Sequence, residues 1–295
     1  MIKCVDNFKD YELLDSGDNE KIERFGKYIL RRPDPQALWH PKDFGKYKVN
    51  AVYHRSRSGG GSWEFFDLPK KWEISYDVAR NVKMRFNLKP FTFKHTGVFP
   101  EQAVNWQYIY KFCNARSKDA SDFKVLNLFA YTGGATIAAA LGSAKVTHVD
   151  AAKGILTWAK ENADLSKIPH DSIRWIVDDC KKFVEREIRR KNLYDGIIMD
   201  PPSYGRGPSG ETWKIESSIY DFLDLCFKLL KKHNSFLMLN SYTTGLQTGV
   251  MDYMVKDLAK TNGFDGESNS YELGLKCAST GLLLPEGSTI VFNTR

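Results

Sequence analysis

The stretch that most constrains this chain runs over 125–136 and reads Val125-Leu126-Asn127-Leu128-Phe129-Ala130-Tyr131-Thr132-Gly133-Gly134-Ala135-Thr136. Val125, Leu126, Leu128 and Phe129 make a short apolar run, as a parallel strand buried on both faces requires. Thr132, Gly133 and Gly134 break it, and a small-residue helix resumes over 135–141. Paired glycines between strand and helix let the backbone turn tightly and let a ligand approach its amides. The next apolar run, 145–149, ends in Asp150. A carboxylate at the tip of a second strand is where a βαβ unit holds a ribose through its hydroxyls. Taken alone, the pattern equally fits a strand-turn-helix built for stability, with Asp150 as a helix cap.

A second signal separates these readings. The apolar run over 194–199 ends in Asp200-Pro201-Pro202-Ser203-Tyr204. Two successive prolines fix φ and stiffen the turn, leaving carbonyls that no helix or ladder claims. Such a turn presents a carboxylate, a bare carbonyl and an aromatic face to one small planar group. A purely structural turn would need neither the Asp nor the Tyr.

With both strand ends in one chain, the sequence resembles class I S-adenosylmethionine-dependent methyltransferases. Within them it resembles the bacterial group related to large-subunit rRNA methyltransferases. The matching residues are Asn127-Leu128-Phe129-Ala130-Tyr131-Thr132-Gly133-Gly134, Val149-Asp150, Asp178-Asp179 and Asp200-Pro201-Pro202-Ser203-Tyr204-Gly205. The likeness covers roughly the last two thirds of the chain and is much less specific for the substrate than for the superfamily.

Alternation along the chain supports an α/β fold. Strands are expected at 124–130, 145–150, 172–177, 194–200 and 234–240, with helices near 134–141, 152–164, 180–190, 214–231 and 248–261. That order means a mostly parallel Rossmann-like sheet covered on both faces. An antiparallel pair, 270–277 with 289–293, closes it, as in this methyltransferase fold. Before it, residues 1–88 read as a small β-rich domain, with 89–295 as the catalytic domain. There 27–31 and 71–76 are strand candidates, and 51–57 with 63–66 reads as a hairpin around Gly59-Gly60-Gly61. Pro100 is placed to open a helix running to Cys113.

Strand ends converge in an open α/β sheet, so 127–134, Asp150, 178–180 and 200–204 are expected to line one crevice. The resemblance makes S-adenosylmethionine its cofactor. It assigns Asn127, Phe129, Tyr131, Thr132, Gly133 and Gly134 to cofactor binding, with the glycine backbone against the amino-acid moiety. Asp150 takes the ribose, and Asp179 the adenine amino group beside the Cys180 amide. Asp178 and Asp179 could exchange roles, one of them capping the next helix. The resemblance also implies that a segment bearing Phe99 and Gln102 contacts the cofactor. At the acceptor, Asp200 and the Pro201 carbonyl can hold ring or amino N–H groups while Tyr204 stacks on a base. The glycine-bearing 205–210 segment reads as a substrate-gating loop.

Cytosine-C5 enzymes of the family attack the ring with a cysteine thiolate near the end of the fourth or fifth strand. Here those ends read Asp200-Pro201-Pro202-Ser203 and Leu239-Asn240-Ser241-Tyr242-Thr243. A nitrogen acceptor, methylated directly, is therefore the expectation, with C5 chemistry or a protein or small-molecule acceptor as alternatives. A nicotinamide-dependent oxidoreductase is disfavoured, because no Gly-x-Gly-x-x-Gly follows the first strand. A non-catalytic RNA-binding module is disfavoured by the intact Asp150 and Asp200.

Net charge is +7, which favours a polyanionic partner. Arg24, Arg31, Arg32, Arg55, Arg57, Lys70 and Lys71 are interleaved with Trp39, Tyr53, Trp63 and Trp72 near the N-terminus. Such mixing suits stacked bases and phosphates, and equally a small β-sheet with solvated cations. RNA, ribosomal RNA foremost, is thus the expected partner, bound by a monomer or homodimer. Five scattered cysteines show no Cys-x-x-Cys pair, which argues for reduced thiols and no metal. With neither a signal-peptide pattern nor a membrane-length apolar run, a cytoplasmic protein is expected.

Overall fold

The computed structural model describes residues 1–56, 60–91, 94–117, 122–206 and 210–295. The chain divides into two compact units: Ile2–Val104 with Leu273–Glu286, and Met1, Asn105–Glu272 with Gly287–Arg295.

The first unit is β-rich. It holds β1 (Ile2–Lys3), β2 (Tyr11–Gly17), β3 (Glu20–Phe25), β4 (Tyr28–Pro33), β5 (Ala51–Arg55), β6 (Gly61–Phe65), β7 (Trp72–Ala79) and β8 (Val82–Leu88). Strands β2 to β6 form one sheet in chain order, antiparallel except for β4 beside β5. β7 and β8 pair as a separate hairpin. β2, β3 and β8 were not expected from the sequence. In β2 and β3 the reason is visible: Asp15, Lys21 and Glu23 are charged yet buried. Buried charge is tolerated only when paired. Here Lys21 Nζ lies 2.9 Å from Asp34 and 2.6 Å from Glu286, and Arg32 donates to both oxygens of Glu23 at 2.7 and 2.8 Å.

This network corrects the reading of the basic and aromatic residues. Arg32 is buried against Glu23, Arg31 pairs with Glu20, and Arg24 pairs with Glu12 at 3.1 Å. Tyr53 and Trp72 are buried. Arg55, Lys70, Lys71 and Trp39 remain exposed, whereas Arg57 and Gly59 lie outside the described residues. Internal pairing has taken up charges that looked available for phosphate.

A single 3-10 turn at Pro100–Gln102 leads into α1 (Ala103–Arg116), with Pro100 opening it as expected. The second unit continues with β9 (Lys124–Leu128), α2 (Gly134–Leu141), β10 (Lys145–Asp150), α3 (Lys153–Leu165), β11 (Ile173–Val177), α4 (Cys180–Arg189) and β12 (Gly196–Met199). Then come β13 (Tyr204–Arg206), β14 (Thr212–Lys214), α5 (Ile215–Phe227), β15 (Phe236–Ser241), α6 (Thr248–Thr261), β16 (Gly266–Lys276) and β17 (Leu283–Thr294). Both β16 and β17 run on along the chain into the first unit.

The central sheet has the order β16-β17-β15-β12-β9-β10-β11. Strands β15, β12, β9, β10 and β11 are parallel and β17 is antiparallel to β15. The mixed α/β architecture is thus the expected one. Leu126, Leu128, Ile197, Met199, Leu237 and Leu239 have no exposure and meet Phe222, Leu223, Cys226, Met251 and Val255 of α5 and α6. Helix α4 shows why it packs: Cys180, Phe183, Val184 and Glu187 are buried at one-face spacing. The order reverses at β9, whose neighbours are β10 and β12, so the crevice opens beyond the ends of β9 and β12. Among the described residues no helix is long and apolar enough to cross a membrane.

One buried polar layer crosses this sheet. Asn127 of β9 stands opposite His148 of β10, and both reach Thr136 of α2. Asn127 Nδ2 donates to Thr136 Oγ1 at 2.9 Å, and His148 Nδ1 meets the same hydroxyl at 2.9 Å. His148 is fully buried, which pushes its imidazole down to about 3. The unfolded chain takes up that proton near 6.5, so stability is present above pH 6.5 and is lost as pH falls toward 3. His148→Asn should flatten this dependence: each pH unit below 6.5 should cost the parent about 1.4 kcal/mol more than the variant. Denaturant unfolding of both between pH 7 and 5 checks it, and parallel pH profiles would reject it.

Candidate active site

Beyond Leu128 the chain turns through three left-handed residues in five positions: Phe129 (φ 55°), Tyr131 (φ 51°) and Gly133 (φ 88°). A non-glycine residue held there costs on the order of 1–3 kcal/mol, so its surroundings must impose the conformation. Acceptors on neighbouring elements do so. Phe129 N donates to Cys180 Sγ at 3.3 Å, Ala130 N to Val149 O at 3.1 Å, and Tyr131 N to Asp150 Oδ2 at 2.9 Å. From α3, Asn162 Nδ2 donates to Thr132 O at 2.9 Å. The glycines are needed for packing as well as for the turn. A Cβ on Gly133 would stand 3.2 Å from the Ala159 methyl, and one on Gly134 2.8 Å from Trp106 Nε1.

Asp150 anchors this loop from the end of β10. Its Oδ2 serves Tyr131, while Oδ1 accepts from Ala152 N at 2.9 Å. Ala152, not Asp150, occupies the cap position of α3. Burial raises the Asp150 carboxyl above the usual aspartate value, and the two amides pull it partly back. Among the described residues no cation pairs with it. A carboxylate bonded only to two amides keeps lone pairs for neutral donors, and its donor set therefore fits the adjacent hydroxyls of a ribose.

Where β11 ends, the two aspartates separate. Asp179 is the residue that caps α4, its Oδ1 accepting from Lys182 N at 2.9 Å. Asp178 takes its neighbour's amide at 2.9 Å and forms an ion pair with Arg186. Cys180 is buried under the Phe129 loop, and burial pushes its thiol well above the ordinary range. Phe129, Tyr131, Thr132, Gly133, Asp150 and Cys180 are thus drawn together. Asn127 is not: it is buried in the layer with Thr136 and His148. Phe99 and Gln102 stand in the other unit, where Phe99 precedes the Pro100 turn and its ring lies 5.3 Å from His95. Their assignment to the cofactor rests on the resemblance.

The 200–204 turn is braced from several sides. Asn240 Nδ2 of β15 donates to Asp200 Oδ1 at 3.0 Å. Trp213 Nε1 donates to the Pro202 carbonyl at 2.7 Å, Ile215 N to Ser203 O at 3.0 Å, and Ser203 Oγ bonds Thr243 Oγ1 at 2.7 Å. Among the described residues nothing donates to the Pro201 carbonyl. Tyr204 keeps 53% of its surface exposed. The segment read as a flexible gating loop is in part a hairpin: Tyr204 pairs with Lys214 and Arg206 with Thr212. Residues 207–209 lie outside the described residues.

Sequence reasoning missed Trp213 and the bracing role of Asn240. Trp213 falls between the 205–210 segment and the helix expected from 214, yet its ring is 5.1 Å from Phe129 and 5.4 Å from Phe222. Asn240 did carry a signal, since it closes the 234–240 run, in the strand beside the one that leads into Asp200.

Comparison with known proteins agrees with this geometry. The family model for S-adenosylmethionine-dependent methyltransferases matches residues 44–219. A crystal structure of an S-adenosylmethionine-dependent methyltransferase from Agrobacterium tumefaciens is similar over 100% of this chain and 94% of its own, with TM-score 0.90 and 33% identity. Ribosomal RNA large subunit methyltransferase K/L of Pseudoalteromonas translucida is 31% identical over 166 residues, 56% of this chain and 22% of that protein. Its counterpart from Pseudoalteromonas atlantica is 35% identical over 185 residues, 61% of this chain and 24% of that protein. The matched stretches are thus about a quarter of the length of these curated relatives.

S-adenosylmethionine should bind the isolated protein and NAD should not. Asp150→Asn should weaken that binding by about 1.5–3 kcal/mol, the range for a lost charge-assisted bond. Titration calorimetry checks both statements; parental affinity in the variant would remove Asp150 from the site.

Proposed function

Because the chain belongs to the S-adenosylmethionine-dependent methyltransferase family, we propose that it methylates a nitrogen of an RNA base, with ribosomal RNA foremost, by direct transfer. The observation that carries this reading is the braced 200–204 turn. It offers an oriented carboxylate, a carbonyl to which no described residue donates and an exposed ring within five residues. That set suits a flat group bearing N–H, gripped at its edge by Asp200 and the Pro201 carbonyl and on its face by Tyr204. The relatives named as ribosomal RNA methyltransferases favour RNA as the source of that group.

In the crevice, Asp150 would hold the ribose, and the amides and glycines of the 129–134 loop would face the rest of the cofactor. Asp178 and Asp179, between β11 and α4, are the carboxylates the reading gives to the adenine amino group. When bound, S-adenosylmethionine supplies an electrophilic methyl group. The chain's own part is alignment and exclusion of water, which is most of what such a displacement needs. Asp200 would stabilise the positive charge that develops on the acceptor nitrogen as the N–C bond forms and the S–C bond breaks, and would take up the proton that nitrogen gives up.

The placement of the cysteines supports a direct route. Cys180 and Cys226 are buried with their thiols pushed up by burial, as is Cys113. None of the five cysteines ends β12 or β15.

The test is transfer of labelled methyl to ribosomal RNA from a deletion strain, with base analysis of that RNA beside the parent's. Asp200→Ala should lower kcat by about 10²–10³-fold, the loss seen when one electrostatic group is removed. Tyr204→Ala should weaken RNA engagement by about 1–3 kcal/mol, the worth of one base stack. Parental kcat in Asp200→Ala would reject the acceptor assignment. A further expectation is that each cysteine can be replaced singly by Ser or Ala with transfer retained; one folded but inactive variant would revive a thiolate mechanism.

A further inference from the structure

We infer that Asn240, Thr289, Asn105 and Tyr271 are positioning residues for Asp200, acting as a buried one-way relay of hydrogen bonds. Tyr271 OH donates to Asn105 Oδ1 at 2.8 Å, and Asn105 Nδ2 to Thr289 Oγ1 at 3.1 Å. Thr289 Oγ1 then donates to Asn240 Oδ1 at 2.7 Å, and Asn240 Nδ2 to Asp200 Oδ1 at 3.0 Å. Every donor points the same way, and the series ends on the carboxylate. The members come from β16, α1, β17 and β15. Each is at most 3% exposed.

Two features set this apart from ordinary filling of a core. First, four polar side chains are buried where apolar ones would avoid any desolvation cost, and each is satisfied by the next. Second, the polarity is consistent. A hydroxyl that accepts from one amide and donates to the next is polarised by both neighbours, so the bonds strengthen one another toward the anion. Thr289 fixes which way the Asn240 amide faces. With its oxygen held by Thr289, Asn240 must present N–H to Asp200. Reversal would set carbonyl against carboxylate at one end and N–H against a donor at the other. The relay therefore keeps Asp200 in its accepting form and in one rotamer, ready for an N–H on the acceptor. Asn105 and Tyr271 extend this constraint to α1 and β16.

The inference concerns the orientation of Asp200, and its catalytic consequence rests on the acceptor reading above. The experiment separates the two. Thr289→Val keeps the shape and removes both bonds of the hydroxyl; Thr289→Ser restores them. In each variant the Asp200 carboxyl is titrated by carbon NMR on the full chain, and single-turnover transfer to ribosomal RNA is measured beside the cofactor Kd. Thr289→Val should raise the Asp200 titration midpoint, because the charged form loses donor support. It should also lower the transfer rate on the order of 10–100-fold, as misplacement of a reacting group does, with cofactor Kd unchanged. Thr289→Ser should restore both. Within an Asp200→Ala background, Thr289→Val should cost nothing more. An unmoved titration in Thr289→Val, or an equal rate loss with and without Asp200, overturns the relay. If the titration moves while Asp200→Ala transfers at the parental rate, the relay stands and the acceptor reading falls.

Discussion

The bond from the Tyr131 amide to the Asp150 carboxylate joins the two strand ends on which the site is built. Strand β9 could leave its last residue in many ways, and a left-handed exit is among the least favoured for Phe and Tyr. It persists because Val149 and Asp150 take the amides of Ala130 and Tyr131 in succession. The arrangement has an electrostatic cost, since Asp150 is pulled out of water with only amides for company. A bound diol would supply two further donors to that carboxylate. The carboxylate that such a diol would bind is the one that holds the Tyr131 amide, so under the proposed reading loop geometry and ligand affinity are coupled.

A second constraint fixes helix α2. A parallel sheet buried on both faces reads as continuous apolar sequence, yet β9 and β10 each carry one polar residue at the same level, Asn127 and His148. Both bond Thr136, one helical turn inside α2. Apolar contacts alone would let a helix of small residues slide along its strands at little cost. A three-membered polar contact has one register, and it sets where Gly133 and Gly134 begin the helix. The Trp106 indole then closes over Gly134 from α1.

Much of this was legible in the sequence where the physics is local. Residues 134–141, 145–150 and 248–261 were read with the bounds the structure shows, because apolar runs and helical periodicity report burial directly. The end of β12 was legible for a different reason: two prolines after an aspartate have few structural uses. What was lost depends on distant partners. Lys21 and Glu286 are 265 residues apart, and without that pairing Lys21 looks like a solvated charge. Asn105 and Thr289 are 184 apart, so neither looked like part of a site. Asn127 shows the opposite case. It stands two residues before the 129–134 loop, yet its amide bonds Thr136 of α2, on the face to which strand alternation points it.

The same long-range logic explains how the 129–134 loop and the 200–204 turn stay in register. Trp213 lies against Phe129 of the loop and Phe222 of α5, and its indole N–H holds the Pro202 carbonyl. Phe129 also meets Phe222 at 5.7 Å, so three rings close a triangle between the two segments. A reaction with a covalent enzyme intermediate can realign its partners between steps. Direct displacement cannot: in the transfer proposed above, donor carbon and acceptor nitrogen would have to be collinear already when the methyl group moves. That requirement would fall on whatever couples the two segments in the resting protein. Under that proposal it would be carried from both sides of Asp200, by the Trp213 cluster along one flank of the turn and by Asn240 with its buried partners along the other.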